Sequence, residues 1–176
     1  MRNATELLTQ YAEYHRDRRN IATHFVGVPM IVFGVATLLA RPGFMMGDAF
    51  VSAAAIAAVL SVAWYLTRGE WLVGAAVSAW VAGLVVLAHG VADGSVARWL
   101  AWGLGSFVVG WVIQFIGHYW EGRKPAFVDD VIGLMVGPLF ITAEALFALG
   151  LCRPLHADIA RHAGPTLLRE PRHHRA

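Results

Sequence analysis

The sequence has one cysteine, Cys152, one lysine, Lys124, and few charges of either sign. Each scarcity excludes a class. A single thiol builds neither a disulfide framework nor a thiolate metal cluster. Charged residues are 15% of the 176, where an ordinary soluble domain carries about a quarter. The formal net charge of +2 lacks the concentrated basic face of a nucleic-acid binder, so no nucleic-acid partner is expected. Phosphate-cradling glycine loops are also missing, because the 18 glycines are scattered through apolar stretches. There is no nucleophile elbow either: Gly103-Leu104-Gly105-Ser106 lies inside an apolar stretch and lacks the spacing. The first twenty residues are polar and hold no long apolar core, so they do not read as a secretory signal peptide.

Apolar residues, by contrast, make up 57% of the chain and mean hydropathy is +0.55. A disordered chain needs the opposite balance. Five apolar stretches follow one another: Ile21–Ala40, Ala49–Leu66, Trp71–Ala88, Trp99–Tyr119 and Val131–Leu151. Each is near the roughly 20 residues that cross a bilayer as a helix. Trp71, Trp80, Trp99, Trp102, Trp111 and Trp120 gather toward their ends, as an aromatic belt requires. The expected fold is all-α, a polytopic membrane helix bundle of four to five apolar helices. An amphipathic helix precedes them, with Asn3 and Glu6 at capping-box spacing and Leu7, Leu8, Tyr11, Tyr14 and His15 along one face. It is expected to lie at the membrane surface. Asp17, Arg18 and Arg19 should break it, and Asn20 should cap the next helix.

Residues 1–151 are expected to form a single membrane-embedded domain, and 152–176 a basic tail, mobile or interfacial. Arginines concentrate at both ends of the chain, and if both ends are cytoplasmic the number of crossings is even. Four true crossings are expected. The stretch that does not cross is then the first, with His24 and Pro29, or the fifth, with Gly137-Pro138 and Glu144.

Eight histidines against one lysine is the unusual feature. His156, His162, His173 and His174 lie in the arginine-rich tail and read as a solvated or headgroup-binding segment. His15, His24, His89 and His118 sit in or beside apolar stretches, where an unpartnered ionisable group is expensive. Gln114, His118 and Glu121 are spaced four and three residues apart and share a helical face. That suits a metal ligand with supporting partners, or equally an interfacial histidine hydrogen-bonded to its neighbours, with Glu121 paired to Arg123 or Lys124. His15 and His24 would lie on opposite faces of one continuous helix, but a break near Asp17–Asn20 lets them converge. His89 ends the third stretch. With the first and third stretches both crossing, it would lie on the opposite side from His24. Cys152 reads as an ordinary interfacial thiol, Asp129-Asp130 as a cap for the fifth helix. Imidazoles without thiolates suit zinc, copper, iron or nickel rather than magnesium or calcium.

Two stretches together resemble a known family. Tyr14-His15-Arg16-Asp17, then Asn20 and His24 with Gly27 and Pro29 following, is similar to its N-terminal motif, in which two histidines flank an Asn-containing break. Gln114-Phe115-Ile116-Gly117-His118, then Glu121, Arg123, Pro125 and Ala126, is similar to its second motif, Q-F-x-G-H-x-x-x-E-x-x-x-P-A. Here Glu121 follows His118 by three residues rather than four. The family is the membrane-bound 2-hydroxy fatty acid dioxygenases, and the likeness runs from about Tyr11 to Gly150.

The resemblance implies an Fe(II)-dependent dioxygenase of fatty acid α-oxidation that converts a 2-hydroxy fatty acid and dioxygen to the acid one carbon shorter. It makes residues 1–151 the catalytic domain and His15, His24, His118 and, more loosely, His89 the metal ligands. Gln114 and Glu121 would hold ligand tautomers, and Arg16 or Arg123 would pair with the substrate carboxylate. The expected location is the endoplasmic reticulum membrane in a eukaryote or the inner membrane in a bacterium, with a homo-oligomer left open. Two other readings stand beside it. One is a different metal-dependent lipid enzyme, such as a zinc hydrolase; the other is a non-catalytic membrane protein that binds lipid or metal.

Overall fold

The computed structural model describes residues 2–125, 130 and 132–168. Seven helices and one hairpin follow in chain order: α1 (Ala4–Ala12), α2 (Arg18–Ala40), β1 (Gly43–Met46), β2 (Ala49–Ser52), α3 (Ala53–Leu66), α4 (Trp71–Ala92), α5 (Val96–Glu121), α6 (Gly133–Ala148) and α7 (Arg153–Ala163). They group into two compact units. One comprises Met1–Val26 with Val112–Ala176, and the other Gly27–Trp111. Both α2 and α5 contribute residues to each.

In the first unit, α1 opens on the expected capping box. Asn3 Oδ1 accepts from the Glu6 amide at 2.8 Å, and the Glu6 carboxylate accepts from the Asn3 amide at 3.0 Å. Its apolar face buries Leu7, Leu8 and Tyr11. That face is covered by protein, since α1 packs against α6 and α7. The chain then breaks and restarts at Arg18. The cap of α2 is Asp17 rather than Asn20: Asp17 Oδ1 accepts the Arg19 amide at 2.8 Å. Asn20 falls inside the first turn of the helix, which turns its side chain to another use.

The end of α6 is a Schellman closure: Leu151 N–H donates to Leu146 O and Gly150 N–H to Phe147 O, both at 2.9 Å, with Gly150 at φ 74°. Only glycine takes that dihedral without strain. The chain therefore turns sharply, and α7 leaves α6 at 115°. The expected fifth stretch, Val131–Leu151, is thus a shorter helix joined to a bent continuation. Asp130 Oδ1 accepts the Ile132 amide at 3.0 Å near its start, while Oδ2 pairs with Arg2 at 2.5 Å. Asp129 lies outside the described residues, as do His173 and His174. Within the described part of the tail, α7 buries Leu155 and Ile159.

In the second unit, glycines bring α2 and α5 into backbone contact. A Cβ on Gly34 would stand 2.7 Å from Gly103 O, and one on Gly110 would stand 2.9 Å from Gly27 O. Close approach through small residues is how apolar helices gain dispersion contact where no hydrophobic drive separates them from lipid. Trp99 Nε1 donates to Thr37 O at 2.7 Å, and Arg41 lies over the Trp99 ring at 4.8 Å. The hairpin pairs Phe44 with Val51 and Met46 with Ala49 around a two-residue Gly47-Asp48 turn. It is the one sheet among the described residues, and it shortens the expected second stretch, Ala49–Leu66. Ser52 Oγ accepts the Ala55 amide at 3.0 Å and so starts α3 only at Ala53. The remaining 14 residues span about 21 Å at 1.5 Å each, short of the hydrocarbon thickness.

Among the described residues, three helices are long and apolar enough to cross a membrane: α2, α4 and α5. Counting the bent α6–α7 pair as one span raises that to four. The five stretches therefore reduce to three or four candidate crossings, and the second and fifth are the ones altered.

Candidate metal centre

The site lies in the first unit, where the start of α2 meets the end of α5. Gly117 permits the approach. A Cβ there would meet Asn20 Oδ1 at 2.5 Å and clash harder still with Thr23 Oγ1. The glycine one residue before His118 is therefore required by α2.

His15, on the break after α1, His24 on α2 and His118 on α5 converge. One ring nitrogen from each lies within 4.8 Å of the others, and all three side chains are buried. Ring centroids are 4.5 Å apart for His15 and His24, 4.9 Å for His15 and His118, and 5.3 Å for His24 and His118. The break makes this possible, since nine residues of unbroken helix would have set His15 and His24 on opposite faces.

Two of the tautomers follow from the acceptors. His15 Nδ1 lies 2.7 Å from Tyr11 O, and His24 Nδ1 lies 2.8 Å from Asn20 O. A carbonyl only accepts, so each Nδ1 carries the proton and each Nε2 presents a lone pair. His15 Nε2 and His118 Nδ1 are buried with no hydrogen-bond partner among the described residues. Unpaired buried nitrogens are costly, and a metal ion between them would satisfy them. Burial, followed by the neighbouring His24 and His118, holds the His15 pKa well below its ordinary 6.5, which keeps it in the neutral, ligating form. Tyr11 packs flat on the His15 ring at 4.0 Å and closes that side.

For His15 and His24 the tautomer is held by the carbonyls of Tyr11 and Asn20, and Glu121 serves the break. Its Oε2 accepts three hydrogen bonds, from the amides of Arg16 at 3.0 Å and Asp17 at 2.7 Å and from Asn20 Nδ2 at 3.1 Å. This one carboxylate thus anchors the break between α1 and α2 to the end of α5. Gln114 sits one turn before His118, 3% exposed, and neither amide atom has a hydrogen-bond partner among the described residues.

Arg16 is buried beside the cluster. It donates through Nε to His15 O at 3.1 Å and through one terminal nitrogen to Gly164 O at 2.9 Å. Its other terminal nitrogen lies 3.5 Å from Glu144 Oε1. Arg123, the other expected carboxylate partner, is instead engaged in structure. It donates to Glu13 O at 2.9 Å and covers the Tyr14 ring. His89, expected as a fourth ligand, does not join the three. It belongs to the second unit, where Nε2 lies 2.8 Å from Ser52 Oγ and Nδ1 lies 2.8 Å from Val85 O. Both ring nitrogens are occupied, Nδ1 within α4 and Nε2 in tying α4 to the start of α3.

Residues 1–149 match the family model described as 2-hydroxy-palmitic acid dioxygenase Mpo1-like. The chain belongs to this family. A curated relative in Saccharomyces cerevisiae, 2-hydroxy-palmitic acid dioxygenase MPO1, is 31% identical over 157 residues, covering 85% of this chain and 83% of its own length. No solved structure matches. All three converging histidines lie within the part that matches the Mpo1-like family. Sequence reasoning missed the carbonyl partners of His15 and His24, which no side-chain pattern reports. It also missed the acceptor role of Glu121, whose partners are backbone amides about a hundred residues away.

Proposed function

We propose that this chain is a 2-hydroxy fatty acid dioxygenase whose resident metal is Fe(II), held by His15, His24 and His118, and that it oxidises its substrate to the acid one carbon shorter. The observation that carries the reading is the buried cluster itself, three imidazole nitrogens within 4.8 Å of one another. Membership of the Mpo1-like family supports the reaction class. An all-imidazole donor set suits iron, and zinc has no redox chemistry to offer dioxygen. Bound iron would supply redox chemistry and open positions for two reactants.

The chain's own residues do the rest. The Tyr11 and Asn20 carbonyls keep Nε2 of His15 and His24 free to ligate. Arg16 is oriented by His15 O and Gly164 O, so its remaining guanidinium edge is available to a substrate carboxylate in competition with Glu144. The Gln114 amide takes a hydrogen bond from, or gives one to, the substrate's polar head. Burial of the cluster excludes bulk water, and the apolar helices accommodate the acyl chain.

The test is anaerobic purification in detergent, followed by metal analysis and oxygen uptake with 2-hydroxypalmitate. The expected result is bound iron and uptake that requires it. A preparation that holds only zinc and consumes no oxygen contradicts the reading.

A further inference from the structure

The break between α1 and α2 carries two ligand-bearing elements, and its backbone can be accounted for group by group. The Tyr14 and His15 amides close back on Tyr11 O at 3.1 Å and Ala12 O at 3.0 Å. Those of Arg16 and Asp17 go to Glu121. Two groups remain, the Arg18 amide and the Arg16 carbonyl, and both are met by Leu167. Arg18 N–H donates to Leu167 O at 3.0 Å, and Leu167 N–H donates to Arg16 O at 2.9 Å. The pairing is an isolated parallel bridge between Asp17 and Leu167. Three residues earlier, Gly164 O accepts from the Arg16 guanidinium. The segment is held there by α7, which packs on α1 and stacks His156 on Phe147 at 4.6 Å.

Both α7 and the Gly164–Leu167 segment lie beyond residue 149, where the family match stops. We propose that residues 164–167 are a strap belonging to the metal centre: they hold the break in the conformation that brings His15 to His24 and His118, and they aim Arg16. The inference rests on the three-histidine metal reading. Leu167 acts through the break and touches no ligand itself, so it is a positioning residue.

Leu167→Pro removes the one amide that reaches Arg16 O and leaves α7 intact. The same substitution at Leu168, whose side chain is 67% exposed, is the control. A chain ending at Ala163 is the second variant. Each is purified in detergent and titrated with Co(II), followed by the absorption of the bound metal and by amide exchange over Arg16–Asn20. Leu167→Pro and the shortened chain are expected to bind Co(II) roughly tenfold more weakly than the parent, about the equivalent of the lost backbone hydrogen bonds. They should exchange faster at Arg18, with Leu168→Pro unchanged. Parent-like affinity in both variants, while His118→Ala abolishes binding, overturns the strap and leaves the metal reading standing. No binding by the parent chain overturns both.

Discussion

Gly117 and Glu121 show how much of the site depends on residues that ligate nothing. A methyl group at position 117 has nowhere to go, because Asn20 Oδ1 and Thr23 Oγ1 occupy its place. Gly117→Ala is therefore expected to destabilise by about 1–3 kcal/mol and to weaken metal binding with it. Gly105→Ala is the matched control: it lies on the same helix, a Cβ there meets nothing within 4 Å, and it should be neutral or slightly stabilising. Thermal unfolding in detergent reads both. Equal melting temperatures for the two variants would contradict the packing argument. At Glu121 the test is chemical. Glu121→Ala strands the amides of Arg16 and Asp17, and losing acceptors at a buried charged group costs on the order of 3 kcal/mol or more. Glu121→Gln keeps one carbonyl oxygen as acceptor and should lose markedly less. A Gln variant as damaged as the Ala variant would mean that the charge, not the acceptor geometry, is what matters.

At the scale of elements, the break that brings His15 to the cluster also sets a pH dependence. His15 is neutral in the folded protein because burial and the adjacent His24 and His118 depress its pKa below 6.5. The unfolded chain therefore binds a proton that the folded chain refuses. Stability should be flat above about pH 6.5 and fall as the pH drops below it, by up to about 1.4 kcal/mol per pH unit for each such proton. Unfolding of the metal-free protein between pH 8 and pH 5 checks the sign; stability that rises on acidification contradicts it. Much of this was legible in the sequence. The capping box, the break and the convergence of His15 with His24 follow from local spacing. The hairpin was not, because Ala49–Ser52 is as apolar as the helix it precedes and only the Gly47-Asp48 turn signals otherwise. The sequence suggests Asn20 as the cap, but the cap falls to Asp17, placed in the break by spacing, while Asn20 is drawn to Glu121. His89 looked like its fellows, at the polar end of an apolar stretch. Its partner Ser52 is distant in sequence and unremarkable in type.

For the whole molecule, three or four helices among the described residues are long and apolar enough to cross a membrane, and the chain belongs to the 2-hydroxy-palmitic acid dioxygenase Mpo1-like family. Neither family motif is adjacent to the other in sequence, so α2 and α5 must pair before a metal site exists. Composition marks the tail as a basic appendage, and within it Gly164 and Leu167 hydrogen-bond to the break that carries His15. The central claim is the reaction, and the most direct measurement is mass spectrometry of the product that the iron-loaded protein forms from a chain-labelled 2-hydroxy fatty acid under oxygen. A fatty acid shorter by one carbon, absent with His118→Ala, is the predicted result. An unchanged chain length, or equal conversion by the His118→Ala variant, would contradict it.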